Sequence, residues 1–188
     1  MEPMMTDSEP KRQPHPSSEK VLAAVGAVAD AWAHLEFDIN EAIWELANVE
    51  QQAGACITAQ IISIGGRTRA LAALVAWRAG DKELLGKVNR FGAEAESVGR
   101  QRNRVIHDPW YVRNDTDEPH QLRITADRRL DFDFAPNSIE DIHAVRDKIF
   151  SVADDFRKLK TALFAALPPF SRQTFSKSIG IWDAKAKG

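Results

Sequence analysis

The chain has a single cysteine, Cys56, so no disulfide can close within it and no cluster of thiolates can hold a metal inside one copy. A reducing, cytoplasmic setting is the matching expectation. Glycine-rich phosphate loops of the nucleotide-binding kinds are missing, and so is the turn that lifts a nucleophilic serine out of a sheet. Gly65-Gly66-Arg67 lies inside a helical pattern, where a backbone role is expected rather than anion binding. No stretch approaches the roughly 20 consecutive apolar residues that a membrane-crossing helix needs. The first residues place Asp7, Glu9, Lys11 and Arg12 among Pro3, Pro10, Pro14 and Pro16, with none of the apolar core of a signal peptide. A disordered leader over 1–17 is expected, with no membrane partner. An excess of one charge is also lacking: the formal net charge is -2, which excludes a surface coated in basic groups and confines any nucleic-acid site to a local patch.

What is present is helical periodicity. The 188 residues fit one domain with tails, placed at 18–169 with a tail over 170–188. From Ser18, a plausible N-cap, to about Asn48, Leu22, Val25, Ala29, Trp32, Ile39, Ile43 and Leu46 recur at spacings of three, four or seven, the stripe of an amphipathic helix. A second helix is predicted from about Ala55 to Arg78, kinked or closely crossed at Gly65-Gly66. A third runs from Asp81 to about His107 on Leu84, Val88, Phe91, Ala95, Val98, Arg102 and Val105, and Pro109 ends it. Ser138 with Asp141 reads as a capping box. It opens a last helix that carries Ile142, Val145, Ile149, Val152, Phe156, Leu159, Leu163 and Leu167 and stops at Pro168-Pro169.

Between 110 and 136 the period falls to two. Gln121 to Thr125 and Leu130 to Phe134 alternate apolar with polar residues, as strands of a hairpin do. Four long amphipathic segments on mostly short connections predict a mainly α fold, an antiparallel four-helix bundle with a small β-hairpin inserted between the third and fourth helices. Trp32, Trp44 and Trp77 are expected in its core. Glu140-x-x-His143 supplies one carboxylate-histidine pair of the kind that holds metals inside such bundles, but no second pair exists, so neither metal nor cofactor is expected.

The densest run of chemistry is Gln101-Arg102-Asn103-Arg104-Val105-Ile106-His107-Asp108-Pro109-Trp110. Arg102 stands on the apolar seam of the third helix, where a core residue is due. This stretch resembles the signature of the HEPN superfamily, an arginine with a following polar residue and a histidine four to six positions on, near the end of a late bundle helix. Arg102 matches the arginine, Asn103 the polar residue and His107 the histidine. Arg113 with His120 fits the bare spacing too, but in a predicted loop and strand.

The resemblance implies a homodimer whose two motifs line a shared cleft, often acting as a metal-independent endoribonuclease, here as a toxin or defence component. In that setting His107 would move protons near neutral pH as the 2'-hydroxyl of RNA attacks. Arg102 would meet the charge gathering on the phosphate with two parallel hydrogen bonds. Asn103 would orient the phosphate or the imidazole, Arg100 and Arg104 would add positive potential, and Trp110 would wall the cleft or a dimer contact. Five residues on an ideal helix put Arg102 and His107 about 140° apart. Either the helix unwinds before Pro109 or the site draws on two chains.

Quieter readings of the same residues stay open. Arg102 could pair with an acid of another helix, and Glu36, on the first helix's stripe between Trp32 and Ile39, is the nominated partner. His34 and Asp38 on either side of it read as a solvated edge. His107 could do no more than cap helix carbonyls. The competing function is a non-catalytic helical homodimer that binds a nucleotide or a protein partner, such as a nucleotidyltransferase-like antitoxin.

Overall fold

A computed structural model describes residues 16–113, 115–127 and 129–167. The expected leader up to residue 15, the 170–188 tail and the helix-stopping Pro168 and Pro169 lie outside these. Among the described residues there are five helices and one three-stranded sheet: α1 (Pro16–Ala47), α2 (Gln51–Thr58), α3 (Ile64–Ala79), α4 (Lys82–His107), β1 (Trp110–Val112), β2 (Pro119–Asp127), β3 (Arg129–Pro136) and α5 (Ile139–Ala166). The fold is mainly helical, as the periodicity predicts. The helix expected over 55–78, however, is two helices, and the expected hairpin has a third strand. None of the helices is long and apolar enough to cross a membrane.

Helix ends follow local chemistry. α1 opens on Pro16 rather than at Ser18, since proline suits the first helical position, where its missing N–H is not needed. It closes on Asn48, a left-handed residue with φ 52°. The long apolar run of the second segment breaks because Ser63 makes a cap: its hydroxyl accepts from the Gly66 N–H at 3.0 Å and starts α3 afresh. Asp81 opens α4 by accepting from the amides of Glu83 at 2.7 Å and Leu84 at 3.2 Å. At α5 the predicted capping box is present: Ser138 Oγ accepts from the Asp141 amide at 3.1 Å, and Asp141 Oδ2 accepts from the Ser138 amide at 2.9 Å.

That reciprocal cap makes a pH-dependent prediction. Hydrogen bonds from the Ser138 amide and hydroxyl hold the Asp141 carboxyl below its ordinary 3.8. A carboxylate lowered in the fold stabilises it above the ordinary value and loses that contribution as pH falls through the lowered one. Ser138→Ala is therefore expected to cost about 1 kcal/mol near neutral pH. The gap to the parent should narrow below about pH 4. Thermal unfolding followed by circular dichroism at both pH values measures this, and a gap indifferent to pH would remove the reciprocal bond.

The described residues divide into two compact units, one built from those up to 33 with 98–150 and the other from 34–97 with those after 150. The second unit buries Leu35, Ile39 and Leu46 of α1, Leu71 and Val75 of α3, Val88 and Ala95 of α4, and Phe156 and Leu163 of α5. Phe91 stacks on Phe156 with centroids 4.7 Å apart. Two glycines permit close approach there: a Cβ on Gly54 would run into the Trp44 ring, and one on Gly65 would come within 2.5 Å of the Glu96 carboxylate. The Trp44 indole N–H donates to Thr58 Oγ1 at 3.0 Å, which fixes α2 against α1. Trp44 is buried as expected, but Trp77 is 43% exposed and is not a core residue.

The first unit holds the candidate site. Here α1 buries Val21, Ala24, Val28, Ala31 and Trp32, while Leu22 is exposed. The buried stripe thus runs one residue ahead of the predicted one at this end. α4 contributes Val98 and Val105, and α5 contributes Ile142 and Ile149. The sheet order is β1-β2-β3, antiparallel throughout, with Trp110 opposite Gln121, Gln121 opposite Ala135 and Ile124 opposite Phe132.

Candidate functional site

Helix α4 runs unbroken through His107, and the Asp108 amide still donates to the Arg104 carbonyl at 3.1 Å. Unwinding before Pro109, one of the two ways to bring Arg102 and His107 together, is therefore not what this helix does. The two stand about 140° apart around one regular helix and about 7.5 Å apart along it. One chain does not gather them onto one face.

Arg102 is half-buried. Its guanidinium carbon lies 5.7 Å from the centroid of the Trp32 ring, within cation–π range. One terminal nitrogen donates to Asn103 Oδ1 at 3.0 Å. The Nε, shielded from solvent, has no acceptor among the described residues. An enclosed donor without a partner costs about 1–3 kcal/mol, and this guanidinium lies over an indole with one hydrogen bond still to give. Asn103 is exposed, and its side-chain oxygen accepts from this guanidinium. Glu36, the nominated partner of Arg102, is taken by another arginine: Arg67 lies 3.4 Å away and also donates through Nε to Asn40 Oδ1 at 3.1 Å. Its neighbour Asp38 accepts from Arg157 at 3.1 Å and is not the solvated edge expected of it, whereas His34 is exposed.

His107 is exposed at the helix terminus. What holds that terminus comes from the sheet. The Trp110 indole N–H donates to the Val105 carbonyl at 2.8 Å, so Trp110 braces the helix end. The Gln121 side-chain amide, 1% exposed, donates to the Arg104 carbonyl at 2.8 Å. Its own oxygen accepts from Arg123 Nε and from Asn137 Nδ2, each at 3.2 Å, and the Leu122 amide donates to the Pro109 carbonyl at 2.9 Å. Carbonyls that a helix C-terminus normally leaves to solvent are thus satisfied by side chains. Sequence reasoning missed Gln121, because a polar residue in an alternating strand reads as solvent-facing, and Asn137, because it lies in the short link between β3 and α5.

The flanking cations differ from each other. Arg100 is exposed. Arg104 sits 3.7 Å from Asp108 Oδ2, an ion pair too long to count as a hydrogen bond, and that oxygen is shielded with no donor of its own. The second match to the spacing has a structural explanation: Arg113 is clamped by Asp115 through bonds of 3.0 and 2.7 Å. That bond and the charge behind it raise the arginine's pKa and lower the aspartate's. His120 is buried, stacked on Phe134 at 5.0 Å, with Nδ1 3.2 Å from the Glu118 carbonyl. Among the described residues no three His, Cys, Asp or Glu side chains come together in a way that could hold a metal ion.

No family model, curated protein or solved structure matches the chain.

Proposed function

We propose that the chain is a HEPN-type endoribonuclease that acts as a homodimer, with α1, the broken pair α2 and α3, α4 and α5 standing in order for the four helices of that superfamily's bundle. The observation that carries this reading is the Arg102 guanidinium, fixed by Trp32 and Asn103 with a shielded N–H still unpartnered, five positions before an exposed imidazole on a braced helix end. A half-buried guanidinium of this kind suits a phosphate, which it meets in a geometry that lysine cannot copy. Since Arg102 and His107 diverge on one helix, the cleft takes them from two copies. One imidazole accepts the 2'-hydroxyl proton as the 2'-oxygen attacks phosphorus. The 5'-oxygen leaves and takes up a proton, delivered by the second copy of the motif. Arg100 and Arg104 supply local positive potential to a chain with little of it overall.

Purified protein incubated with cellular RNA in excess chelator should yield fragments ending in 2',3'-cyclic phosphate and 5'-hydroxyl. Expression in a bacterial host should slow growth, as a toxin or defence nuclease does. RNA left intact with and without chelator would transfer the weight to the second reading, a non-catalytic dimer that binds a protein such as a nucleotidyltransferase-like antitoxin, or a nucleotide. The separation of Arg102 from His107 on one helix is the observation favouring that reading.

A further inference from the structure

The three-stranded sheet turns its apolar face outward. Paired residues of an antiparallel sheet share a face, so the register puts Tyr111 with His120, Leu122 with Phe134, Ile124 with Phe132 and Ala126 with Leu130 on one side. Gln121, Arg123, Asp131 and Asp133 take the other, the side whose Gln121 and Trp110 hold the end of α4. Tyr111, Ile124, Leu130, Phe132 and Phe134 are 48% to 62% exposed. Aromatic side chains bury about 150–250 Å² each, so the open apolar area here is roughly 500 Å², at the upper end of what a monomer tolerates.

We infer that this face is a self-association surface, on which the sheet of a second copy packs face to face about a two-fold axis. Three observations choose that occupant. The area from two copies, roughly 1,000 Å², reaches the lower bound of specific protein interfaces. Arg123, Asp131 and Asp133 all point to the opposite side, so two identical faces meet without opposing like charges, and stacked sheets with interdigitated side chains are an ordinary packing. The third is the acidity of the turn beside the face, where Asp115 offsets Arg113 and Asp117 and Glu118 add negative charge, which disfavours a nucleic-acid backbone over those aromatic rings. Edge-to-edge pairing of β3 with its own copy is the poorer alternative. Centred on Phe132, it would set Asp131 against Asp133 on both sides of the axis, and like charges directly opposite destabilise a ladder.

This inference does not rest on the ribonuclease reading and is a contact separate from the shared cleft: the end of α4 lies on the opposite side of the sheet, so a face-to-face dimer keeps both sheets between its two motifs, and a cleft built from two copies would use another contact. Sedimentation of the full chain over a concentration series should show a species of twice the 21.0 kDa chain mass. Phe132→Glu and, separately, Ile124→Lys should each raise the dissociation constant about tenfold or more by burying an unpaired charge. Asp131→Lys, an equal insult on the opposite face, should leave it within about twofold. All three positions are exposed, so circular dichroism should report an unchanged fold. A monomer at every concentration, including one whose sheet is instead covered by another protein, overturns the inference. So does a dimer indifferent to both apolar-face variants. A dimer of this kind that leaves RNA intact would remove only the nuclease reading, and a nuclease dimerising solely elsewhere would remove only this one.

Discussion

His107→Ala is expected to lower RNA cleavage by about 10²–10⁴-fold, the usual contribution of a positioned proton-transfer group, while the melting temperature stays close to that of the parent. The two halves of this expectation have separate causes. The imidazole is exposed at the end of α4, so its removal opens no cavity. The helix end is held by Trp110 and Gln121 instead. Arg102→Lys is the companion. It retains the charge over Trp32 but loses the planar fork, and should lower cleavage by about 10²–10³-fold, as the loss of one donor to a developing oxyanion does, for a stability change of about 0.5–1 kcal/mol from the weakened cation–π contact. If the two motifs serve one composite cleft, mixing the variants should restore part of the activity, because a heterodimer rebuilds one intact combination of arginine and histidine. Cleavage measured on the separate and mixed proteins decides this. A His107→Ala chain as active as its parent would end the catalytic assignment, and a mixture no more active than its parts would end the shared cleft.

Much of the helical frame was legible because burial imposes a period that sequence displays. α4 and α5 begin and end within a residue or two of their predicted limits, where Asp81, Pro109 and the Ser138–Asp141 box act locally. Reading failed where two registers or two states are nearly equal in free energy. In Val21-Leu22-Ala23-Ala24-Val25 every position is apolar, so the stripe can be drawn through Leu22 as easily as through Val21, and packing alone chooses. The run Ile57, Ile61, Ile64 keeps a helical period across a real break, and the signal lay in Ser63 preceding Gly66, a cap rather than a kink. β1 is three residues long, too short to alternate. The sheet departs from the customary reading: its large apolar residues are open, and its buried residues are the polar His120 and Gln121. At the site, Arg102 was conspicuous as a charge on an oily seam. That it rests on Trp32, and that Glu36 belongs to Arg67, depends on which turns of different helices meet, and a one-dimensional pattern does not contain that.

Gln121 gives the sharpest stability test, since its surroundings distinguish a neutral amide from every near-isostere. Gln121→Leu keeps the volume and removes one donated and two accepted bonds. The Arg104 carbonyl retains the Asp108 amide, and Arg123 and Asn137 are only partly buried, so most freed groups find another partner and the cost should be about 2 kcal/mol. Gln121→Glu should cost more, about 3 kcal/mol near neutral pH, because an acceptor-only carboxylate would face the Arg104 carbonyl in a site closed to water. Burial and the opposing carbonyl would raise the pKa of that glutamate in the folded chain, against the Arg123 guanidinium and the Asn137 amide, which would lower it, and at a position 1% exposed the first two are expected to prevail. A group raised in the fold contributes its stability below its unfolded value and loses it as pH rises through the folded one. The Gln121→Glu protein should therefore regain stability relative to the parent on acidification, because its protonated carboxyl can again donate to the carbonyl. At about 2–4 °C per kcal/mol for a chain of this size, thermal scans across the acid range resolve the effect. A Gln121→Glu chain that melts with its parent at neutral pH would mean the amide bears no load. One that loses further ground in acid would mean that the Arg123 guanidinium holds the carboxylate ionised, whereas a gap indifferent to pH would mean the site is wet, and the braced helix end on which His107 depends would lose its physical basis.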